Sequence, residues 1–305
     1  MHIRQEYATL ATLFYFRKGA VMAFNFKGIF RSSAALVLGG AIMLGLLACG
    51  DSKQEETKKQ ESAIETIKNN GKIRIGVFSD KPPFGYYENN EYKGFDVYIA
   101  KRFAKDLLGD ENKIEFVPVE AAARASALKA NKVDIIMANF TKTPEREKQV
   151  DFAKPYMKVT LGVVSKDGAI TSEEQLQGKT LIVNKGTTAD IYFSKQSGIN
   201  LLKFEQNTET FQAFQQGKGD ALSHDSTMLY AWVKHNPDYK VGIQSIGEQD
   251  VIAPAVKQGN KELLDWLNAE IDTLQKEGFF KEAYDATLAS EFGSEITADM
   301  VIFAE

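Results

Sequence analysis

The sequence predicts an α/β fold with largely parallel sheets, divided into two intertwined lobes. Strand-like and helix-like segments alternate from Ile64 to Leu288. They fall into two similar series, and no internal repeat, low-complexity tract or proline-rich linker separates them. An apolar fraction of 44% over 305 residues is ample for packed cores.

In the first series Lys72–Val77 alternates as a strand. From Gly94 to Gly109 apolar residues recur at helical spacing through Val97, Ala100, Phe103, Ala104, Leu107 and Leu108, and Gly109 ends the helix. Ile114–Val119 is the next strand, Ala122–Ala130 a helix and Val133–Ala138 a third strand. Beyond it, Thr143, Pro144 and Glu145 read as N-cap, first helical position and first-turn acid of a short helix.

The second series opens with a strand at Val159–Ser165, and Thr171 with Glu174 forms a capping-box pattern. Lys179–Val183 is a strand, Thr188–Gln196 a helix, Leu201–Phe204 a strand and Asn207–Gln216 a helix. Asp220–Ser223 and Ser226–His235 follow as strand and helix. After Val251–Val256 come helices at Lys261–Glu277 and Phe280–Leu288.

Ahead of the fold, Lys27 and Arg31 precede an apolar run from Ala34 to Leu47 that is too short to span a bilayer and has the form of a signal-peptide core. Counted from Met22 the signal has the usual length of ~15–30 residues, and counted from Met1 it is long. The run ends in Leu46-Leu47-Ala48-Cys49, with a small residue before the one cysteine of the chain. Residues 50–62 are charged, carry no apolar side chain to bury and read as a solvated tether. With a single cysteine, no disulfide forms within the chain.

Several chemistries are excluded. A net charge of −4 with interspersed signs gives no continuous basic face for nucleic acid. Three histidines without a close pair, and no second cysteine, argue against a metal site, and nothing calls for a cofactor. Ser223-His224-Asp225 has the residue types of a hydrolytic triad, but neighbours on a strand point to opposite faces and cannot relay a proton. Gly178-Lys179-Thr180 lacks the upstream glycine of a phosphate loop, since Glu173 stands there.

What remains is a set of polar residues where strands end: Asn139, Thr141 and Arg146 in the first series, Lys185 to Thr188 and His224-Asp225 in the second. Ligands of open α/β sheets bind beyond the carboxyl ends of the strands. Gly186-Thr187-Thr188 opens a helix whose free N–H groups suit a carboxylate. Arg146 offers a planar fork to the same carboxylate, and Asp225 accepts from an ammonium. An α-amino acid meets both demands.

The segments GKIRIGVFSDKPPFGY, KGFDVYIAKRFAKDL, VDIIMANFTKTPEREKQVDFAKPY, NKGTTAD and GDALSHD resemble the successive signatures of polar amino-acid-binding proteins of ABC importers, solute-binding protein family 3, from Ile64 to Leu288. The resemblance implies a two-lobed periplasmic-binding-protein-like fold of type II, with two crossover strands as the hinge of a clamshell. It divides the chain into a signal peptide (1–48), a lipidated tether (49–63), lobe 1 (64–156 plus 254–305) and lobe 2 (157–253). Leu46–Cys49 resembles a lipobox, which implies that Cys49 carries a lipid and holds the exported protein to the periplasmic or cell-surface side of a membrane.

Residue by residue, the resemblance gives Arg146 and Thr141 to the ligand carboxylate, Thr187 and Thr188 to the helix-start contacts and Asp225 to the amine. Asn139 joins them, and Phe84, Tyr86, Glu120 and Arg124 complete the expected ligand-binding set. The implied protein is a monomer that hands its amino acid to an ABC permease and its ATPase and catalyses nothing. The segments VEAAAR, ANFT, NKGTTAD, DALSHD and DVIAPAVK are most similar to those of bacterial cysteine-binding lipoproteins. Aspartate/glutamate-binding relatives also place an arginine where Arg124 stands, so an acidic ligand stays open. With cysteine, Arg124 orders the pocket wall beside Glu120; with an acidic ligand it pairs with the side-chain carboxylate. The same fold also hosts an exported dehydratase and the sensor lobes of membrane receptors.

Overall fold

The computed structural model describes residues 62–292 and 296–303; the expected signal segment and Cys49 lie outside them. The chain begins with α1 (Ala63–Asn70), β1 (Ile73–Val77), β2 (Asp80–Lys81), β3 (Gly85–Glu88), β4 (Glu91–Lys93), α2 (Phe95–Leu108), β5 (Ile114–Pro118), α3 (Arg124–Lys129), β6 (Ile135–Ile136), α4 (Pro144–Glu147) and β7 (Val150–Phe152). It continues through β8 (Met157–Lys166), β9 (Thr180–Asn184), α5 (Thr188–Phe193), β10 (Asn200–Phe204), α6 (Asn207–Gln215), β11 (Ala221–Asp225), α7 (Ser226–Lys234) and β12 (Tyr239–Ile252). It ends with β13 (Ala255–Lys257), α8 (Lys261–Lys276), α9 (Phe279–Thr287), α10 (Ala289–Phe292) and α11 (Ala298–Val301).

Local chemistry explains the main elements. Helix α2 buries Phe95, Ile99, Phe103 and Leu107, one apolar stripe, and stops where Gly109 takes φ 77° and returns its N–H to Lys105. Each such side chain contributes ~1.5–3 kcal/mol when fully buried. Helix α8 does the same through Leu263, Leu267, Ile271 and Leu274. Thr143 caps α4 by accepting the Arg146 N–H, with Pro144 at the first helical position.

Other local expectations are corrected. Ser62, assigned to the tether, is the N-cap of α1, accepting the Glu65 N–H at 3.1 Å. The box expected at Thr171 and Glu174 sits one residue later, where the Gln175 side chain accepts the Ser172 N–H at 3.2 Å. The strand expected over 133–138 is regular only at Ile135–Ile136, flanked by bonds from the Asp134 N–H to the Arg74 carbonyl at 2.8 Å and from the Met137 N–H to the Gly76 carbonyl at 2.9 Å, and Asn139 beyond it takes a left-handed φ of 45°. Helix α5 ends at Phe193. The ribbon β2-β3-β4, the long β12 and the helices after Leu288 were not anticipated.

Among the described residues two five-stranded sheets form, in the orders β5-β1-β6-β13-β7 and β10-β9-β11-β8-β12. In each, three strands run parallel, β5-β1-β6 and β10-β9-β11. Antiparallel pairing enters through β13 in the first sheet and through β8 and β12 in the second. These strands adjoin two passages between the sheets, β7 to β8 and β12 to β13; beyond α9 the chain returns to the side of the second sheet, where Ile302 bridges Met157 and Glu291 pairs with His235 at 2.7 Å. The passages lie side by side: Ala153 N–H donates to the Pro254 carbonyl at 2.9 Å and Tyr156 N–H to the Ile252 carbonyl at 3.0 Å. Two hydrogen-bonded segments lying side by side therefore join the sheets. Among the described residues no helix is long and apolar enough to cross a membrane.

Candidate functional site

The turn after β6 and helix α4 in the first lobe meet the turn after β9 and the end of β11 in the second. Arg146, presented by α4, donates from Nη1 to the Thr141 carbonyl at 2.7 Å and from Nη2 to the Gly186 carbonyl at 3.0 Å, across the lobe boundary. Burial lowers its guanidinium to about 10, against the pull of Asp225, so it is charged at neutral pH. Arg124, at the start of α3, is also buried. Its Nε donates to the Ala121 carbonyl at 2.9 Å, Nη1 to the Ala138 and Asn139 carbonyls at 3.0 Å each, and Nη2 to the Gly186 carbonyl at 3.2 Å. Four of its five N–H groups are thus committed to backbone.

Asp225 ends β11 and stands at the N-cap of α7. Its Oδ2 accepts from Asn139 Nδ2 at 2.6 Å, again between lobes, and its Oδ1 from the Thr188 hydroxyl at 3.4 Å. Burial opposes its ionisation, yet His224, Lys81, Arg124 and Arg146 hold the carboxyl below its ordinary range. His224 is neutral at neutral pH, since burial takes its imidazole down to about 3, so the lysine and the arginines supply the effect there. The buried Asn139 Oδ1 has no hydrogen-bond partner. An acceptor left open beside a carboxylate is a place for a ligand's ammonium.

Thr187 and Thr188 open α5, where the Thr187 hydroxyl accepts the Asp190 N–H at 3.3 Å. Gly186, in front of them, has φ 77°, and a Cβ there would stand 2.5 Å from Ala122 Cα of the opposite lobe. Glycine is required twice over, for the backbone angle and for the approach of the lobes.

Asn139 and Thr188 meet Asp225, and Arg124 and Arg146 meet at the Gly186 carbonyl with Thr141 beside Arg146; the Thr187 hydroxyl instead donates to the Asn184 carbonyl and accepts the Asp190 N–H. Phe84 is fully buried and belongs to the core cluster that includes Ile75 and Phe95. Tyr86 lines a separate cavity of about 500 Å³ with Asp80, Pro82, Asn207 and Phe211. Glu120 gives Arg124 no hydrogen bond; burial raises its carboxyl, and the charges that add to this are Asp80, Glu205 and Glu209.

Sequence reasoning missed the layer behind the clamp. Lys81 of β2 is buried with its Nζ 3.9 Å from Asp225 Oδ2 and 4.6 Å from the centre of the Phe78 ring. Arg124 lies 5.6 Å from the same ring and 4.3 Å from Phe140, and Arg146 lies 4.9 Å from Phe140. Three cations and two aromatic faces therefore alternate in a row. Beneath them Asp96 accepts the Asn139 N–H at 2.7 Å and the Tyr156 hydroxyl at 2.6 Å, fixing the left-handed turn. The signal for Asp96 was its place at i relative to Ile99, Ala100 and Phe103, a carboxylate on the apolar face of α2. Lys81 had no such signal.

Residues 73–288 match the bacterial extracellular solute-binding proteins, family 3. The structure is similar to a cysteine-binding protein from Campylobacter jejuni, with 55% identity and a TM-score of 0.79 over 80% of this chain and 100% of that one. It is also similar to the solute receptor for L-cysteine of Neisseria gonorrhoeae, with 52% identity and a TM-score of 0.77 over 79% of this chain and 99% of that one. The ABC transporter glutamine-binding protein of Bacillus subtilis is 35% identical over 260 residues, 83% of this chain and 94% of its own length.

Proposed function

Because the chain belongs to the bacterial extracellular solute-binding proteins of family 3, we propose that it is the amino-acid receptor of an ABC importer, that its ligand is L-cysteine, and that it closes its two lobes on the ligand and delivers it to a permease. The supporting observation is the clamp in which Arg146 and Asn139 of one lobe meet Gly186 and Asp225 of the other.

The ligand carboxylate takes Arg146 with the first N–H groups of α5, in place of the single Gly186 carbonyl that both guanidinium groups now share. A carboxylate brings two charged oxygens where that carbonyl brings one neutral one, so the exchange is favourable. The ammonium goes between Asp225 and the open Asn139 Oδ1. Satisfying both ends requires both lobes, so the binding energy is differential between open and closed arrangements, as a ligand-driven closure demands. Lobe 1 is assigned residues 64–156 plus 254–305 and lobe 2 residues 157–253.

Two observations favour cysteine over an acidic amino acid. The solved structures at 52% and 55% identity are of proteins that take cysteine. Arg124 spends Nε and both N–H groups of Nη1 on the Ala121, Ala138 and Asn139 carbonyls, so with only Nη2 left it offers no bidentate fork to a side-chain carboxylate. We assign no catalytic residue, because every charged group of the clamp has a recognition role. Lipid attachment at Cys49 would hold the receptor beside its permease on the extracytoplasmic side. A thermal-shift screen of all amino acids tests the ligand: at ~100 times its dissociation constant a ligand adds ~2.7 kcal/mol of stability. L-cysteine under reducing conditions is expected to give the largest shift, and a response to aspartate or glutamate alone would replace it.

A further inference from the structure

The clamp holds one more buried positive charge than a neutral amino acid can balance. Lys81, Arg124 and Arg146 stand against Asp96 and Asp225, all five buried. The other buried carboxylate of the region, Asp190, is matched by Lys203 at 2.6 Å. His224 is neutral, as its ring falls to about 3, and the Tyr156 phenol, raised by burial, is neutral too. Asp96, raised by burial to about 6, is ionised at neutral pH. Asp80, Glu120 and Asp250 are only half-buried, where solvent screens them. The ammonium and carboxylate of an α-amino acid cancel, so a ligand with a neutral side chain leaves a positive charge unbalanced in a desolvated site.

That charge is best identified with Lys81. Both guanidinium groups have carbonyl partners, whereas the Lys81 ammonium has no hydrogen bond among the described residues and only the long 3.9 Å approach to Asp225. Asp225, Asp96, Asp80 and Arg124 are the charged groups around it. Burial brings its pKa down to about 8, the mark of an ammonium short of partners.

We infer that the cleft selects an amino acid carrying a second negative charge, and that Lys81 is the specificity residue facing that charge. The inference rests on the proposed function, in which the ligand is L-cysteine and the second charge is its thiolate. Free in solution the thiol has a pKa near ~8.5, so at pH 7 binding removes its proton. The S–H bond breaks, sulfur keeps the electron pair, the proton passes to buffer, and nothing is oxidised. Serine has the same shape but no accessible ionisation, so it leaves Lys81 unbalanced.

The test is calorimetric titration of the wild-type protein, Lys81→Met and Lys81→Arg with L-cysteine, L-serine and L-aspartate, under reducing conditions at pH 7. Two buffers of different ionisation heat count the protons released. Wild type is expected to release about one proton per cysteine, to gain about tenfold in affinity per pH unit between pH 6 and 7.5, and to prefer cysteine to serine by about thirtyfold or more. Lys81→Met should lose both the proton release and the preference, and Lys81→Arg should restore them. Cysteine binding without proton release, or an unchanged proton count and preference in Lys81→Met, overturns the charge assignment and leaves the cysteine receptor standing. Aspartate binding that depends on Lys81, with no response to cysteine, keeps the charge assignment and removes cysteine as ligand. Serine binding as tightly as cysteine in all three proteins removes the assignment as well.

Discussion

Replacing Gly186 by alanine is expected to weaken L-cysteine binding about a hundredfold without unfolding the protein. The added Cβ would lie 2.5 Å from Ala122 Cα, 2.7 Å from Ala122 N and 2.8 Å from Ala122 Cβ. Non-bonded carbons rest ~3.5–4.0 Å apart, so the shortfall is about 1 Å against backbone, which no rotamer change relieves. Overpacking of this kind costs ~1–3 kcal/mol, and with rigid backbone on both sides the upper end applies. About 3 kcal/mol corresponds to a factor of ~150 in dissociation constant. Ala122 and Gly186 belong to opposite lobes, so this cost falls on the closed arrangement alone. The left-handed φ of 77° adds ~1–2 kcal/mol to open and closed forms alike. Gly178 isolates that second cost, since it has φ 75° and nothing within 4 Å of its missing Cβ. Both variants should melt about 2–8 °C below wild type, and only Gly186→Ala should lose affinity and fail to compact with ligand. Calorimetric titration with small-angle scattering reads both. A Gly186→Ala protein that compacts and binds like wild type would refute the role of this contact in closure.

Arg146→Ala and Asp225→Asn should each raise the dissociation constant about thirtyfold or more with unchanged circular dichroism, because each leaves a buried partner unmatched; equal affinity in either folded variant would show that the clamp holds no ligand. Asp96 gives a pH signature: its folded pKa of about 6 lies above the ordinary 3.8, so the folded state binds a proton that the unfolded chain does not hold at about pH 4–6. Its stability contribution therefore rises as pH falls through about 6 and levels off near 4. Relative to Asp96→Asn, wild type should gain on the order of 2–3 kcal/mol between pH 7 and 4 in urea unfolding, and a flat difference would remove the assignment. Cys49→Ala should abolish incorporation of labelled fatty acid, and equal labelling of the two proteins would end the lipid assignment.

Where the local signal and the tertiary context agree, the sequence could be read directly. Thr143 and Pro144 announce α4, and the spacing of Val97 to Leu108 announces α2, because cap chemistry and helical period are short-range. Strand β12 escaped because Gly242 and Gly247 interrupt its pattern and its pairing with β8 slips at Ile243 and Ile246. The ribbon β2-β3-β4 contains Pro82 and Pro83, which argue against a strand in any single-chain reading. Within the site, Arg146 and Asp225 were visible as charged residues at strand ends. Lys81 was not, since a lysine beside Asp80 in a polar stretch reads as solvated, and only the fold brings it under Phe78 and beside Asp225. Arg124 was found, but its four carbonyl partners come from three separate segments and could not be read from its neighbours.

The position of β13 has a consequence for the order in which the molecule is made. This strand lies between β6 and β7, pairing Ala255 with both Ile136 and Phe152, so β7 has no bonded neighbour in its sheet until the chain has been built as far as Lys257. All five strands of the other sheet are complete by Ile252. On a growing chain the middle segment can therefore finish first, while the earlier one waits with an unpaired strand edge for a piece about 100 residues downstream. Such distant pairing is slow and concentrates loop-closure entropy in one late step. Of the two five-stranded sheets, the one that begins the fold is the last to be closed.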